Sequence, residues 1–101
     1  MGENVTWRLT LPAGLVADLT HDATSDDMPW LGVLVRKGPL WGEVAGDLER
    51  DIELLNAQAL SEWEKLWAEL RARGLRLLLR DGSEVEFFAL HSDGATGRLR
   101  Y

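Results

Sequence analysis

The chain has no cysteine, only two histidines and three prolines among its 101 residues. Without cysteine it can form neither a disulfide framework nor a thiolate metal site. No apolar run approaches the roughly 20 residues that a membrane-spanning helix needs. The first residues also lack the basic and apolar regions of a signal peptide. We therefore expect a cytoplasmic protein that does not engage a membrane.

Positive charge is also scarce, because 11 Lys and Arg residues stand against 17 Asp and Glu residues, for a net charge of −6. Sequence-independent nucleic-acid binding needs clustered cations, so a nucleic-acid partner is not expected. The charge is uneven, with a net −8 over residues 1–70 and +2 over residues 71–101. This contrast is compatible with self-association or an oppositely charged protein partner, although a mixed, solvated surface is the simpler interpretation.

Aromatic residues, by contrast, include five tryptophans. Large side chains of this kind build cores and contact surfaces more often than reaction centres. Trp7, Trp63 and Trp67 lie in register with apolar faces, which favours the core. Trp30 and Trp41 flank a turn at residues 37–39, so the sequence leaves open whether they are exposed.

Hydrophobic periodicity predicts three strands in the first third of the chain. Residues 5–11 alternate strictly, residues 15–20 alternate more weakly, and residues 30–36 are apolar almost throughout. Residues 21–27 are polar and acidic, which is typical of a loop.

The middle third has helical periodicity. Apolar residues recur at spacings of three and four at Val44, Leu48, Ile52, Leu55, Leu60, Trp63, Trp67 and Leu70. On the opposite, solvated face we expect the acids Glu43, Asp47, Glu49, Asp51 and Glu53. We favour a break near Asn56, with a second helix starting at the capping-box spacing of residues 61–64 and ending before Gly74.

Three more strands are predicted at residues 75–80, 84–90 and 96–101, joined as a meander by Asp-Gly turns at 81–82 and 93–94. The expected fold is a single α+β domain over residues 1–101. It has an antiparallel sheet of about six strands in the order β-β-β-α(α)-β-β-β, with the helical segment packed on one face.

Several short motifs occur in a fixed order along nearly the whole chain. They are Asp-Met-Pro-Trp at 27–30, Trp63, Gly-Leu-Arg-Leu at 74–77, Asp-Gly at 81–82, Leu-His at 90–91 and Arg-Leu-Arg-Tyr at 98–101. In these motifs the chain resembles a group of small, uncharacterised bacterial proteins with an Asp-Met-Pro-Trp element. The resemblance implies a stand-alone bacterial domain and supplies neither an activity nor catalytic residues.

Candidate chemical groups are few. His21, Asp26 and Asp27, joined by His91 from the last hairpin, combine imidazole and carboxylate ligands that suit zinc, manganese or iron. No recognised metal-ligand spacing is present, and a solvated acidic loop is the simpler interpretation. Adjacent residues of a strand point in different directions, so His91, Ser92 and Asp93 do not form a catalytic triad by themselves. We therefore expect neither an enzyme nor a cofactor.

Two surface features indicate possible partners. Arginines at 76, 80, 98 and 100 could form a basic strip for an acidic partner if their strands are neighbours, although outward strand positions explain them as well. An uncovered sheet face would expose an apolar patch, and such patches mark interfaces or homodimers. The candidate interface residues are Phe88, Leu78, Leu90, Trp30 and Trp41.

Three functional hypotheses follow. The leading one is a non-catalytic protein-interaction domain, homodimeric or with another protein, that uses a sheet face or edge. The alternative is a small metal- or ligand-binding protein that uses the His/Asp cluster. The third is an inhibitor or immunity-type protein that neutralises a basic target through acidic residues 18–27 and 43–53.

Overall fold

The computed structural model describes residues 5–85 and 88–100, apart from the side chain of Asp93. Within these ranges the chain forms a curled antiparallel sheet of seven strands together with two helices, which confirms the predicted α+β class. The strands are β1 Trp7–Leu11, β2 Gly14–His21, β3 Leu31–Lys37, β4 Arg76–Leu79, β5 Glu84–Val85, β6 Ala89–Asp93 and β7 Thr96–Arg100. The helices are α1 Ala45–Asn56 and α2 Leu60–Ala72.

The sheet order is β5-β4-β1-β2-β3-β7-β6. The first three strands, which alternation predicted as strands, pair in sequence, and they place Leu9 opposite Ala17 and Leu19 opposite Val35. These four residues are buried and, with apolar residues of both helices, belong to one hydrophobic core.

The predicted meander of the last third is wrong. Glu84 and Val85 pair with β4 at one edge of the sheet, whereas β6 and β7 form a hairpin that joins β3 at the other edge. The single strand predicted over residues 84–90 therefore corresponds to two strands with different partners, which a local sequence pattern cannot distinguish. Four chain steps separate Val85 from Ala89, and they span at most about 14 Å. The two edges must approach each other, and the sheet curls accordingly.

The expected break between the helices is confirmed. Residues 57–59 separate α1 from α2, and Gln58 has a positive φ of 57°. The start of α2 differs by one residue from the prediction, because the helix begins at Leu60 and Ser61 lies inside its first turn. At the other end, Gly74 takes the left-handed conformation (φ 92°) that favours glycine after a helix. Neither helix in the described ranges is long and apolar enough to span a membrane.

The buried stripe of α1 also departs from the prediction. Leu48, Asp51 and Leu54 are buried, whereas Ile52 and Leu55 are only half-buried. Asp51, which we expected on the solvated acidic face, is therefore fully inside the protein. Its burial depends on the hydrogen-bond partners described below.

Candidate functional site around Asp51 and His91

Asp51 lies at the centre of a polar network. One carboxylate oxygen, Oδ1, accepts hydrogen bonds from the indole Nε1 of Trp63 at 2.6 Å and of Trp67 at 2.8 Å. The two tryptophans are four residues apart on α2, so both indoles leave the same face of that helix. The other oxygen, Oδ2, accepts a hydrogen bond from Nδ1 of His91 on β6. One side chain of α1 thus connects α2 with the last hairpin.

The network explains how a carboxylate is tolerated at 0 % exposure. Moving a carboxylate out of water costs several kcal/mol unless hydrogen bonds replace its hydration. Two indole N–H groups and one imidazole N–H provide that replacement. Because a carboxylate oxygen accepts, the Nδ1 atom of His91 carries the hydrogen, and Nε2 is the ring nitrogen left to meet a ligand.

Trp30 fixes the imidazole from another side. The ring centroids of Trp30 and His91 are 4.1 Å apart with planes inclined by 37°. Trp30 ends a tight turn at residues 27–30, in which the backbone N–H groups of Asp27 and Trp30 each donate to the other's carbonyl at 2.8 Å. The guanidinium of Arg100 lies 5.9 Å from the Trp30 ring. His91 is therefore held by a hydrogen bond at one nitrogen and by stacking on its face.

A groove of about 470 Å³ opens beside His91, whose side chain is 20 % exposed. Its volume lies in the range of about 300–1,000 Å³ that is typical of small-molecule sites. The lining residues are Ser25, Ile52, Leu55, Asn56, His91, Ser92, Thr96, Gly97 and Arg98. They come from the last turns of α1, from the β6–β7 hairpin and from a short 3₁₀ turn, Ala23–Ser25.

His91 and Arg98 are directly opposite each other in the β6–β7 pairing. Directly opposed residues of antiparallel strands leave the same face, with Cβ atoms about 4.5–5.5 Å apart. Both side chains line the groove, and none of its described lining residues is acidic. Arg98 therefore gives the described lining a guanidinium, in a chain whose net charge is −6.

A second groove, of about 490 Å³, lies further along the same hairpin. Its lining residues are Trp63, Glu64, Trp67, Arg71, Phe88, Ala89 and Arg100. Ala89 is the strand partner of Arg100, two positions along from the pair formed by His91 and Arg98. The two grooves thus follow one another along β6 and β7.

The acidic loop forms a separate cluster. Nε2 of His21 lies 3.0 and 3.1 Å from the two carboxylate oxygens of Asp26. The hydrogen bond that Asp26 accepts from the backbone N–H of Gly32, at 2.8 Å, lowers the pKa of its carboxyl, and His21 lowers it further. The pKa of Asp22 is also lowered, mainly by hydrogen bonds from the side chains of Thr24 and Ser25.

The predicted metal site does not assemble. His21 pairs with Asp26, His91 pairs with Asp51, and Asp27 lies 3.5 Å from Arg98. No group of three or more metal-ligating side chains is present among the described residues. The physical reason is that each histidine is held by a different carboxylate.

The predicted basic strip is divided by the sheet order. Arg76 and Arg80 belong to β4 and the turn after it, and three strands separate β4 from β7, which carries Arg98 and Arg100. Arg76 pairs with Glu84 at 3.1 Å, and Arg80 donates to the carbonyl of Val5 at 3.1 Å. The four arginines therefore do not share neighbouring strands.

The predicted apolar patch does not form either. Phe88 and Leu90 are buried, at 6 % and 0 % exposure, because both faces of β6 are covered. Leu78 is half-buried and lies near the opposite edge of the sheet. Trp30 and Trp41 are half-buried and pack against the core. These five residues consequently offer no common exposed surface.

Asp51 is the site residue that the sequence analysis missed. The acid occurs among four other acids in residues 43–53, which is typical of a solvated helix face. A signal was nevertheless available, because Asp51 follows Leu48 by three positions and precedes Leu54 and Leu55 by three and four.

Comparison of the chain with protein-family models, with curated proteins and with solved structures finds no match. The resemblance carried by the Asp-Met-Pro-Trp element therefore stays an expectation. Within the structure, that element has a local role, since it holds Trp30 against His91.

Proposed function

We propose that the protein is a ligand-binding domain whose site is the groove beside His91. The observation that carries the proposal is the imidazole of His91, held by Asp51 and stacked on Trp30 at the wall of a concave surface. A ring held at both its edge and its face needs little reorganisation when a ligand arrives, and such pre-organisation favours binding.

The lining of the groove supports a small organic ligand. Ile52 and Leu55 contribute apolar surface, whereas Asn56, Ser92 and Arg98 contribute polar groups. A mainly apolar wall with a few convergent polar groups is characteristic of small-molecule sites. A protein-interaction role through Phe88 and Leu90 has less support, because both side chains are buried.

The test is a screen of small acids, amides, amines and neutral aromatics by protein-observed NMR. Binders are expected to shift the amide resonances of Asn56, Thr96 and Arg98 and the indole resonance of Trp63. These groups line the groove or belong to the Asp51 network that supports it.

A groove-filling variant gives the control. Asn56→Trp places an indole at the end of α1 in the groove lining, whereas Glu53→Trp adds the same bulk at an exposed position of the same helix outside that lining. We expect Asn56→Trp to abolish the shifts and Glu53→Trp to retain them. Two results would show that the groove is not the site. One is a binder that shifts resonances only outside the groove, and the other is a binder with equal affinity for both variants.

A further inference from the structure

We infer that the ligand of the His91 groove is an organic carboxylate with an apolar portion, and that Arg98 holds its carboxylate. This inference rests on the proposed function and names the chemical class of its ligand. It depends on the charged side chain of the groove, on the placement of Arg98 and on the state of the neighbouring helix end.

The guanidinium of Arg98 provides the donors, and His91 lies beside it. His91 and Arg98 are directly opposed strand partners, so their side chains leave the same face of the hairpin. A guanidinium presents two parallel N–H groups to a carboxylate, a geometry that an ammonium group lacks.

Arg98 can exchange its present partner. Its Nη1 lies 3.5 Å from Oδ2 of Asp27, and the two side chains are 51 % and 70 % exposed. Exposed pairs of this length contribute little, because solvent screens both charges. A ligand carboxylate can therefore replace Asp27 as the acceptor.

The charge distribution disfavours a cationic ligand. None of the described lining residues is an acid, and Asp51 behind the imidazole already accepts three hydrogen bonds. The end of α1 beside the groove has little to offer a cation, because the carbonyls of Leu54 and Leu55 accept from Ala59 and Gln58. An amine would therefore find no carboxylate among the described lining residues, and those two carbonyls already accept hydrogen bonds.

The apolar residues of the lining indicate the chemistry of the ligand beyond its carboxylate. Ile52 and Leu55, one turn of α1 apart, contribute apolar side chains to the lining. A hydrocarbon portion next to the carboxylate would cover them. One guanidinium suits a singly charged head group, whereas a phosphate dianion would be matched by more cations.

The test uses probes that share one apolar portion and differ in the head group: phenylacetate, phenylacetamide and phenethylamine. Dissociation constants are measured by NMR titration at constant ionic strength. We expect phenylacetate to bind about tenfold more tightly than the amide, with the amine weaker still. Binding of the amide or the amine as tightly as the acid would overturn the inference.

The variants Arg98→Met and Arg50→Met separate the site from general electrostatics. Both remove one guanidinium, and Arg50 lies at an exposed position of α1 outside the groove lining. Arg98→Met should weaken phenylacetate about tenfold and leave the amide unchanged, whereas Arg50→Met should change neither. Equal weakening by both variants would point to overall charge and contradict the inference.

The result also separates this inference from the proposed function. If the amide or the amine binds best and still shifts the groove resonances, the ligand class is wrong and the site stands. If no probe of any class shifts those resonances, the proposed function fails together with the inference. The melting temperature and the amide spectrum of each variant establish that it is folded.

Discussion

The carboxylate of Asp51 in α1 accepts a hydrogen bond from the imidazole of His91 in β6, 40 positions further along the chain. Asp51 is the buried charged residue of a core that is otherwise apolar among the described residues. Because Trp63 and Trp67 donate to the same carboxylate, the network holds α1, α2 and β6 together. Stability and the proposed binding site therefore depend on one side chain.

Asp51→Ala should be strongly destabilising, because it leaves two indole N–H groups and one imidazole nitrogen buried without their acceptor. We expect a loss of about 3–5 kcal/mol in the free energy of unfolding, measured by urea denaturation. Asp51→Asn, which keeps one acceptor oxygen, should lose less. The exposed Glu53 of the same helix is the control, and Glu53→Ala should change stability by less than about 0.5 kcal/mol. Equal effects at Asp51 and Glu53 would show that the network contributes nothing.

Trp63→Phe and Trp67→Phe each keep an aromatic ring and remove one N–H donor to Asp51. A hydrogen bond to a charged group contributes about 1.5–3 kcal/mol, and the loss should be larger for Trp67, which is the more buried. Because both donors share one oxygen, the free energy of unfolding lost by the double variant should differ from the sum of the losses of the two single variants. Additive losses in denaturant titrations would argue that the two indoles act independently.

The acidic loop should lose its contribution to stability in acid. The pKa of Asp26 is lowered from its ordinary value of 3.8, chiefly by the backbone N–H of Gly32 and further by His21. A lowered pKa means that the ionised form stabilises the fold, fully above pH 3.8 and progressively less as the pH falls through the folded value. Asp26→Asn should therefore lower the melting temperature near neutral pH, and the difference from the unmodified protein should shrink below about pH 4.

The matched control for that experiment is Glu49→Gln, which removes a carboxylate from an exposed position of α1. We expect its difference in melting temperature to be small and nearly independent of pH. A difference for Asp26→Asn that grows as the pH falls would contradict the role assigned to Asp26.

Gly32→Ala should destabilise the protein by about 1–3 kcal/mol, the usual effect of overpacking. A Cβ atom at Gly32 would lie 2.5 Å from the carbonyl oxygen of Asp22 and 2.5 Å from Cβ of Ser25. The backbone at residues 22–25 would have to move, and Ser25 lines the His91 groove. Gly46→Ala in α1 meets nothing within 4 Å and should be neutral or stabilising by up to about 1 kcal/mol. Thermal denaturation of both variants checks the contrast.

The local elements could be predicted because their signals are local. Strict alternation places Trp7 and Leu9 on one face of β1, and helical spacing followed by Gly74 defines the end of α2. The partners of strands could not be predicted in the same way. Residues 84–90 were predicted as one strand, yet Val85 pairs with Leu77 and Leu90 pairs with Leu99. The choice of strand partner depends on contacts between residues that are far apart in the sequence.

The candidate site was harder to predict than the fold. His91 was singled out because histidine is scarce, but its expected partners Asp26 and Asp27 lie in a different cluster. Its actual partner, Asp51, resembles a solvated acid in sequence, and only the indole donors of α2 make its burial tolerable. Hydrogen bonds between three separate elements produce no periodic pattern in the sequence.

The position of β7 between β3 and β6 has a consequence for synthesis on the ribosome. Residues 5–72 contain Asp51 and both of its indole donors, but His91 and the strand that connects it to the sheet are translated later. When α2 has been translated, the carboxylate of Asp51 still lacks the imidazole of His91. Strand β3 still lacks its neighbour β7. The groove can therefore form only after β6 and β7 have been translated.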